Sequence, residues 1–399
     1  MVQLDKIFDS AMKSSLFLNK LVLQTTYSPE NILHRETQIE QVAGILAPCL
    51  RGEKPSNLFI YGGTGSGKTL SIQFVKNHLI ERAKRDSLPL KIEYLNCKLK
   101  KVVDTEYRML AELVKKLGGS VPATGLPTDQ VYNKFLEIAE AEEKLIVLVF
   151  DEIDQAVKKL SDNFLYNLTR LNSELSKTQI SLIGISNDLK FLDNLDPRVR
   201  SSLSEEEIVF PPYNAVQLKE ILDQRAKSAF GEDRLEEGVI AKCAAFAARE
   251  HGDARRALDL FRVAGEIAER EASGKVKMSH VDKANEKIDR DKMFDVVENA
   301  PKQFQLTLMS IALLAEKKEE SIFTGGVFNL YQELCQKCKT EVLTQRRVSD
   351  IIAEMDMLGL INARVISKGR YGKTRDIKLA IPEKIMGKIK DLLKEKIGL

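Results

Sequence analysis

Eight consecutive residues, Gly62-Gly63-Thr64-Gly65-Ser66-Gly67-Lys68-Thr69, constrain this chain more than any other stretch. They follow the apolar run Asn57-Leu58-Phe59-Ile60-Tyr61 and precede a helical stretch from Leu70 to Lys84. The pattern GxxxxGKT therefore stands in the strand, loop, helix context that a phosphate-binding loop requires. Glycines let backbone N–H groups turn inward around an anion at a helix N-terminus, where unpaired donors and the helix dipole both favour negative charge. Lys68 supplies a cation for the β and γ oxygens of a nucleotide, and Thr69 a hydroxyl for Mg²⁺. A glycine-rich turn that holds no ligand has no need of this spacing and context. Gly62, Gly65, Ser66, Gly67, Lys68, Thr69 and Leu70 are accordingly the first candidate nucleotide contacts.

About eighty residues on, Leu145-Ile146-Val147-Leu148-Val149-Phe150 runs straight into Asp151-Glu152-Ile153-Asp154. An uninterrupted apolar strand that ends in carboxylates fits the buried parallel strand of a doubly wound α/β sheet, where ligands sit beyond the strand C-termini. Asp151 is placed to hold Mg²⁺ through its water shell and Glu152 to act as general base on an attacking water. Seen alone, the pair reads equally well as an acidic helix start; beside a phosphate loop the catalytic reading prevails. A third apolar strand, Ile180 to Ser186, ends in Asn187, whose amide can orient water or meet a γ-phosphate, although Ser and Asn also end strands simply as turn formers. Further on, Gly252-Asp253-Ala254-Arg255-Arg256-Ala257-Leu258 opens a helical segment after Pro211-Pro212 and the helix expected from Ala215 to Phe230. Arg255 in its first turn can reach a γ-phosphate; taken alone, the two arginines read as a solvated pair.

A chain of 399 residues exceeds one ordinary core and predicts two or three domains. With 43% hydrophobic and 30% charged residues it reads as folded throughout. No apolar run approaches the roughly 18 residues of a membrane span, and the N-terminus has no signal-peptide pattern, so the expectation is a cytoplasmic, nucleoid-associated protein without membrane contact. Five cysteines make no disulfide framework, and Cys335 and Cys338 are read as helix residues rather than zinc ligands. Charge is uneven: Ala300 to Leu399 holds 18 Lys and Arg against 12 Asp and Glu, within a chain whose net charge is only +3. The basic end is the candidate for a phosphate-rich partner.

Together the phosphate loop, Asp151-Glu152, Asn187 and Gly252-Asp253-Ala254-Arg255 resemble Walker A, Walker B, sensor 1 and sensor 2 of AAA+ ATPases. Within that superfamily the chain resembles the archaeal origin-recognition and cell-division-control type of DNA replication initiator over nearly its whole length. The resemblance implies an AAA+ P-loop ATPase fold, a parallel sheet flanked by helices, with an all-α lid and a C-terminal winged-helix domain. It implies an N-terminal extension over 1–17, a base over 18–212 with a helical insertion near 96–133, a lid over 213–295 and the winged helix over 296–399. Tyr27 to Glu36, with Arg35, resembles the family's segment near the adenine, and Tyr213 and Arg225 match nucleotide-contact positions. In the insertion, Thr124 and Gly125 lie between helical patterns at Thr105–Leu117 and Asp129–Ala141, and the family's insertion touches duplex DNA. Where AAA+ oligomers carry an arginine finger this chain reads Asp196-Pro197-Arg198-Val199-Arg200-Ser201-Ser202, with Ser202 at a position many relatives fill with Arg. Arg198 or Arg200 remains available. Since a finger given in trans is worth about 10³ to 10⁵ in turnover, weak ATPase activity, ATP to ADP plus phosphate, is expected, suited to a switch.

At the basic end, Thr344 and Gly359 bracket a helix in which Val348, Ile351, Ile352, Met355 and Leu358 recur at core spacing. That leaves Gln345, Arg346, Arg347 and Ser349 near its N-terminus to face outward, the part of a recognition helix that reads DNA. Strands expected at Leu360–Ile366 and Asp376–Ile381 are joined by a basic hairpin in which Lys368, Arg370, Tyr371 and Lys373 suit a wing on phosphate or in the minor groove. The same fold also serves as a protein-binding module. The reading implied is an initiator that uses ATP/ADP and Mg²⁺, binds double-stranded origin DNA, and recruits the replicative minichromosome-maintenance helicase, with paralogous initiators as further partners. An ATP-liganded winged-helix transcription regulator and a clamp-loader-like AAA+ remodeller are the competing readings.

Overall fold

The computed structural model describes residues 15–98, 105–122, 125–203, 205–316, 322–367 and 373–398. Two compact units divide the chain, Met1–Val281 and Asp282–Leu399. The first contains α1 (Glu36–Leu46), β1 (Asn57–Gly62), α2 (Lys68–Arg85), β2 (Leu90–Asn96), α3 (Glu106–Lys116), α4 (Thr128–Ala139), β3 (Leu145–Asp151), α5 (Ile153–Leu160) and α6 (Asn163–Glu174). It continues with β4 (Gln179–Ser186), α7 (Pro197–Leu203), β5 (Glu205–Phe210), α8 (Ala215–Ala229), α9 (Val239–Arg249), α10 (Ala254–Arg270) and the start of α11 (Met278–Asn299).

The five strands make one parallel sheet in the order β2-β3-β4-β1-β5. Strands β1 and β3 are buried at every position, which is why they read as unbroken apolar runs: helices cover both faces. Alternate side chains point to opposite faces. Phe59, Leu148, Phe150 and Leu182 pack with α3, α4 and α6, while Leu58, Ile60, Val147, Val149, Ile183 and Ile185 pack against Ile72, Val75 and Leu79 of α2 and Val42 of α1. The register aligns Tyr61 with Ser186, Asp151 with Ile185, and Asn96 with Asp151. The C-terminal ends of β1, β4, β3 and β2 consequently form one rim, and the topology of an open α/β sheet makes that rim the ligand crevice.

After β5 the chain turns helical. Asn214 and Gln217 form a reciprocal capping box at the start of α8, and Asp253 caps α10 by accepting from the Arg255 and Arg256 N–H groups. Residues 16–23, which span the expected end of the N-terminal extension at 17 and the expected start of the base at 18, pack on these helices. The Phe17 ring lies 4.6 Å from that of Phe230, which lies 4.9 Å from Phe261, and the Leu18 N–H donates to Ala229 O at 2.8 Å. An aromatic cluster has no periodicity, so a pattern reading of the sequence passes it by.

The second unit begins inside α11, earlier than the expected boundary at 295/296, because one helix runs through both the expected end of the lid and the start of the next domain. It continues with α12 (Lys302–Glu316), β6 (Ile322–Phe323), α13 (Thr324–Lys337), α14 (Gln345–Met357), β7 (Ile361–Ser367), β8 (Lys373–Leu379) and α15 (Glu383–Ile397). An antiparallel sheet, β6-β8-β7, closes over a core that includes Leu308, Ile311, Tyr331, Val348, Ile352, Ile377 and Leu393. Cys335 lies in α13 and Cys338 caps it. Two expectations are corrected here. Leu358 is 46% exposed and its core place is taken by Leu360, because the chain leaves the helix at Leu358 and Gly359, at φ 72°, breaks the 3.6-residue period. Strand β8 begins at Lys373 rather than Asp376, since the Arg375 N–H reaches Thr324 Oγ1 at 3.3 Å and its side chain reaches Ser349, tertiary contacts that alternation alone does not reveal.

In the middle of β4, a Cβ on Gly184 would stand 2.4 Å from the Phe59 ring. Gly184→Ala should therefore cost about 1–3 kcal/mol through overpacking. A lower urea midpoint with unchanged slope checks this, and an unchanged midpoint would refute the packing argument.

Candidate functional site

The rim of the sheet holds a cavity of about 510 Å³, lined by the loop from Thr64 to Leu70, by Asp151, Glu152 and Asn187 from the strand ends, by Tyr94 and Asn96 of β2, by Tyr213, Arg225 and Arg255 from the helical side, and by Tyr27 and its neighbours. Gly65, Ser66, Gly67, Lys68, Thr69, Leu70, Asp151, Glu152, Asn187, Tyr213, Arg225 and Arg255 thus meet around one space although up to 190 positions apart in sequence number, from Gly65 to Arg255. Lys68 begins α2 and is 5% exposed. Its Nζ donates to Gly62 O and Gly63 O, both at 2.8 Å, and to Asn187 Oδ1 at 2.9 Å. Burial pulls its pKa down to about 8, opposed by the Asp151 carboxylate and reinforced by Arg255. Gly62 takes part through its carbonyl and does not line the cavity.

Thr69 Oγ1 donates to Asp151 Oδ2 at 2.8 Å, and the Glu152 N–H donates to Asp151 Oδ1 at 2.9 Å. Glu152 adopts φ 55°, a left-handed conformation that costs a residue with a Cβ roughly 1–3 kcal/mol. Its side chain lines the cavity, with Oε2 3.7 Å from Lys98 Nζ. Asn187 follows β4, the strand between β1 and β3, so it stands between the loop and the carboxylates. Cations, inward backbone donors and hydroxyl and carboxylate oxygens converge here, a chemistry suited to a polyphosphate with a hard divalent cation.

On the helical side, Arg255 is exposed along the cavity, in the first turn of α10. The Ala254 N–H donates to Gly65 O at 3.3 Å, and a Cβ on Gly65, whose φ is 65°, would collide with Asp253 Oδ1. Arg225 is 7% exposed, its guanidinium 4.6 Å from the Tyr27 ring, and burial lowers its pKa. Arg35 departs from expectation. It lies behind the phosphate loop, 1% exposed, and does not line the cavity. Its guanidinium donates to Ser66 O at 2.7 Å, His34 O at 2.7 Å and Pro211 O at 2.6 Å and covers the Tyr213 ring at 3.7 Å. Its position next to a cavity-lining segment invited a ligand role; the three carbonyls it satisfies make it a brace. Tyr94 and Asn96 were not anticipated, because Leu90–Asn96 mixes charged and apolar residues without a motif.

In the second unit, Gln345, Arg346 and Arg347 occupy the exposed first turn of α14, capped by Thr344. Ser349 is already engaged: Arg375 Nη1 donates to its carbonyl at 2.8 Å and to its hydroxyl. Gln345, Arg346, Val365, Thr374 and Arg375 line a hollow of about 590 Å³ beside the start of α13. Gly125, at φ 107°, is exposed. Lys373 is placed as the first residue of β8. Thr124, Lys368, Arg370 and Tyr371 lie outside the described residues.

Comparison with known proteins gives three domain matches: an AAA ATPase domain over residues 31–183, a Cdc6 AAA+ ATPase-type lid domain over 219–286, and a CDC6 C-terminal winged helix domain over 295–388. The ORC1-type DNA replication protein of Thermococcus onnurineus is 53% identical over 383 residues, covering 95% of this chain and 92% of the relative. That of Pyrococcus abyssi is 52% identical over 390 residues, covering 96% and 92%. Among solved structures, the Aeropyrum pernix ORC1 protein in complex with DNA matches with a TM-score of 0.84 and 43% identity, over 96% of this chain and 98% of that one.

Because the Lys68 pKa lies near 8 and a bound phosphate would raise it, polyphosphate binding should take up a proton as pH rises through that value. Affinity is expected to hold below about pH 7 and to fall above pH 8 by up to about tenfold per unit until the ligand-bound pKa is passed. Calorimetry across pH 6.5–9.5 in buffers of different ionisation heat reads this directly; affinity that rises with pH would contradict it.

Proposed function

Because the chain belongs to the ORC1-type family of DNA replication proteins, with AAA+ ATPase, lid and winged-helix domains, we propose that it is an ATP-dependent initiator that binds double-stranded origin DNA and promotes loading of the replicative helicase. Slow ATP hydrolysis serves as its switch. The observation that carries this reading is that one chain combines a phosphate cradle whose catalytic carboxylates share its rim with a recognition helix whose first turn, Gln345-Arg346-Arg347, is exposed and basic. The relative solved as a complex with DNA supports the DNA half.

The oxygens of Thr69 and Asp151, 2.8 Å apart, are the hard donor set that Mg²⁺ prefers, one hydroxyl directly and one carboxylate through water. When bound, the ion would neutralise charge on the β- and γ-phosphates. Gly65 to Leu70 would hold the phosphates with backbone donors, and Lys68 would exchange its carbonyl partners for phosphate oxygens. Glu152 would take a proton from the attacking water, with Asn187 orienting that water and Arg255 meeting the γ-phosphate from the lid. Tyr213 and Arg225 would flank the rest of the nucleotide. Turnover would be slow because Ser202 stands where many relatives carry Arg, its Oγ 2.9 Å from Thr169, and Arg200 is paired with Asp193 at 3.0 Å, which leaves exposed Arg198 as the candidate finger. Gln345, Arg346 and Arg347 would meet DNA, with the wing from Lys368 to Lys373 and the Thr124-Gly125 segment as further contacts. The minichromosome-maintenance helicase and paralogous initiators are the protein partners this role requires.

Glu152→Gln should keep ATP binding and lose turnover by at least about hundredfold, the contribution of a general base; single-turnover hydrolysis at wild-type rate would remove Glu152 from that role. Arg346→Ala should weaken duplex binding and lower the slope of log K against log salt by about one, and an unchanged slope would take Arg346 off the phosphate backbone. In source cells, genome-wide crosslinking should give discrete occupancy at replication-timing peaks, whereas occupancy spread over promoters would favour a transcription regulator that keeps ATP as a structural ligand.

A further inference from the structure

Tyr94 lies on β2, outside every motif of the ATPase site, yet its hydroxyl donates to Asp151 Oδ2 at 2.6 Å. Thr69 donates to the same oxygen and the Glu152 backbone N–H to the other, so the carboxylate is held at both ends. Parallel pairing sets this up. Tyr94 stands opposite Val149 and Asn96 opposite Asp151, which places all four on one face of the sheet. Asn96, two residues on and on the same face, lines the cavity beside Tyr94, and its Oδ1 accepts the Lys98 N–H at 2.9 Å.

A carboxylate that meets a cation through water has no inner-sphere bond to fix its orientation, and outer-shell donors must do so. Of the two side-chain donors on Oδ2, Thr69 would hold the ion itself and Tyr94 would not. We propose that Tyr94 is a positioning residue for the divalent cation of the nucleotide site, holding the Asp151 carboxylate in the plane from which its remaining lone pairs face the cavity. The inference rests on the reading of this cavity as a Mg²⁺-nucleotide site.

The test uses full-length protein cleared of nucleotide, titrated calorimetrically with a non-hydrolysable ATP analogue at stepped free Mg²⁺ and in EDTA. Tyr94→Phe, which removes one oxygen and leaves the ring, should raise the Mg²⁺ midpoint about tenfold, the low end for loss of an outer-shell partner, and leave affinity in EDTA unchanged. A midpoint unchanged or lowered in Tyr94→Phe, or equal losses with and without Mg²⁺, would overturn the assignment. Analogue binding by the unsubstituted protein that ignored Mg²⁺ would instead remove the cation reading itself, and this inference with it.

Discussion

Arg35 lies where three stretches of chain meet, and among the described residues its guanidinium bonds carbonyls and no carboxylate. Burying a cation this way costs several kcal/mol unless the lost hydration is replaced. Here it is replaced by the carbonyls of His34, Ser66 and Pro211 and by ring faces of Tyr213 and, at 5.8 Å, Phe210. Burial still wins the contest over its pKa, which is lowered. Carbonyls suit the task better than a carboxylate would, because each belongs to a different backbone segment: the one before α1, the phosphate loop, and the turn from β5 into α8. One rigid planar group therefore fixes the loop relative to the point where the helical region begins. Tyr213 extends the joint, since a Cβ on Gly67 would come within 2.8 Å of its hydroxyl.

The same economy appears on the opposite side of the loop. Gly65 is needed for its left-handed turn and again because the Asp253 carboxylate, capping α10, sits where any side chain would be. With the Ala254 N–H on Gly65 O, the first turn of α10 is seated on the phosphate loop itself. Arg255 is therefore carried on a helix turn seated directly on the loop, and residues 16–23 pack on the same helix, since Phe17 fits over Gly265 of α10.

How much of this was legible in the sequence follows from which constraints are local. Phosphate binding needs glycines, Lys68 and Thr69 at fixed offsets in one loop, and a buried parallel strand needs an unbroken apolar run before Asp151; both are written consecutively and both were read. Tyr94 is set by inter-strand register, and Leu90–Asn96 at the sheet edge is only half-buried, so its pattern is too mixed to announce a strand. Arg35 stands in the expected neighbourhood but turns away from the cavity, and Ser349 lines a hollow with Gln345 and Arg346 while also holding Arg375, because a sequence shows proximity along the chain but not which way a side chain turns. The Phe17–Phe230–Phe261 cluster joins residues more than two hundred positions apart and leaves no periodic trace.

Charge illustrates the difference between a count and a position. The basic excess after Ala300 suggests a broad cationic surface, but several of those cations are already committed. Arg375 ties β8 to α14 through Ser349, Lys390 is buried against Glu316, and Lys396 pairs with Glu298 at 3.2 Å. Arg375 in particular trades reach toward a ligand for a fixed angle between the hairpin and the helix beside it. Arg346 and Arg347, by contrast, stand exposed at the N-terminus of α14. Cations that release counterions set how strongly a protein holds DNA of any sequence, while groups held at a fixed angle to the base edges set which sequence it prefers. In this unit Arg375 is committed to holding β8 against α14, while Arg346 and Arg347 keep their charge at the surface.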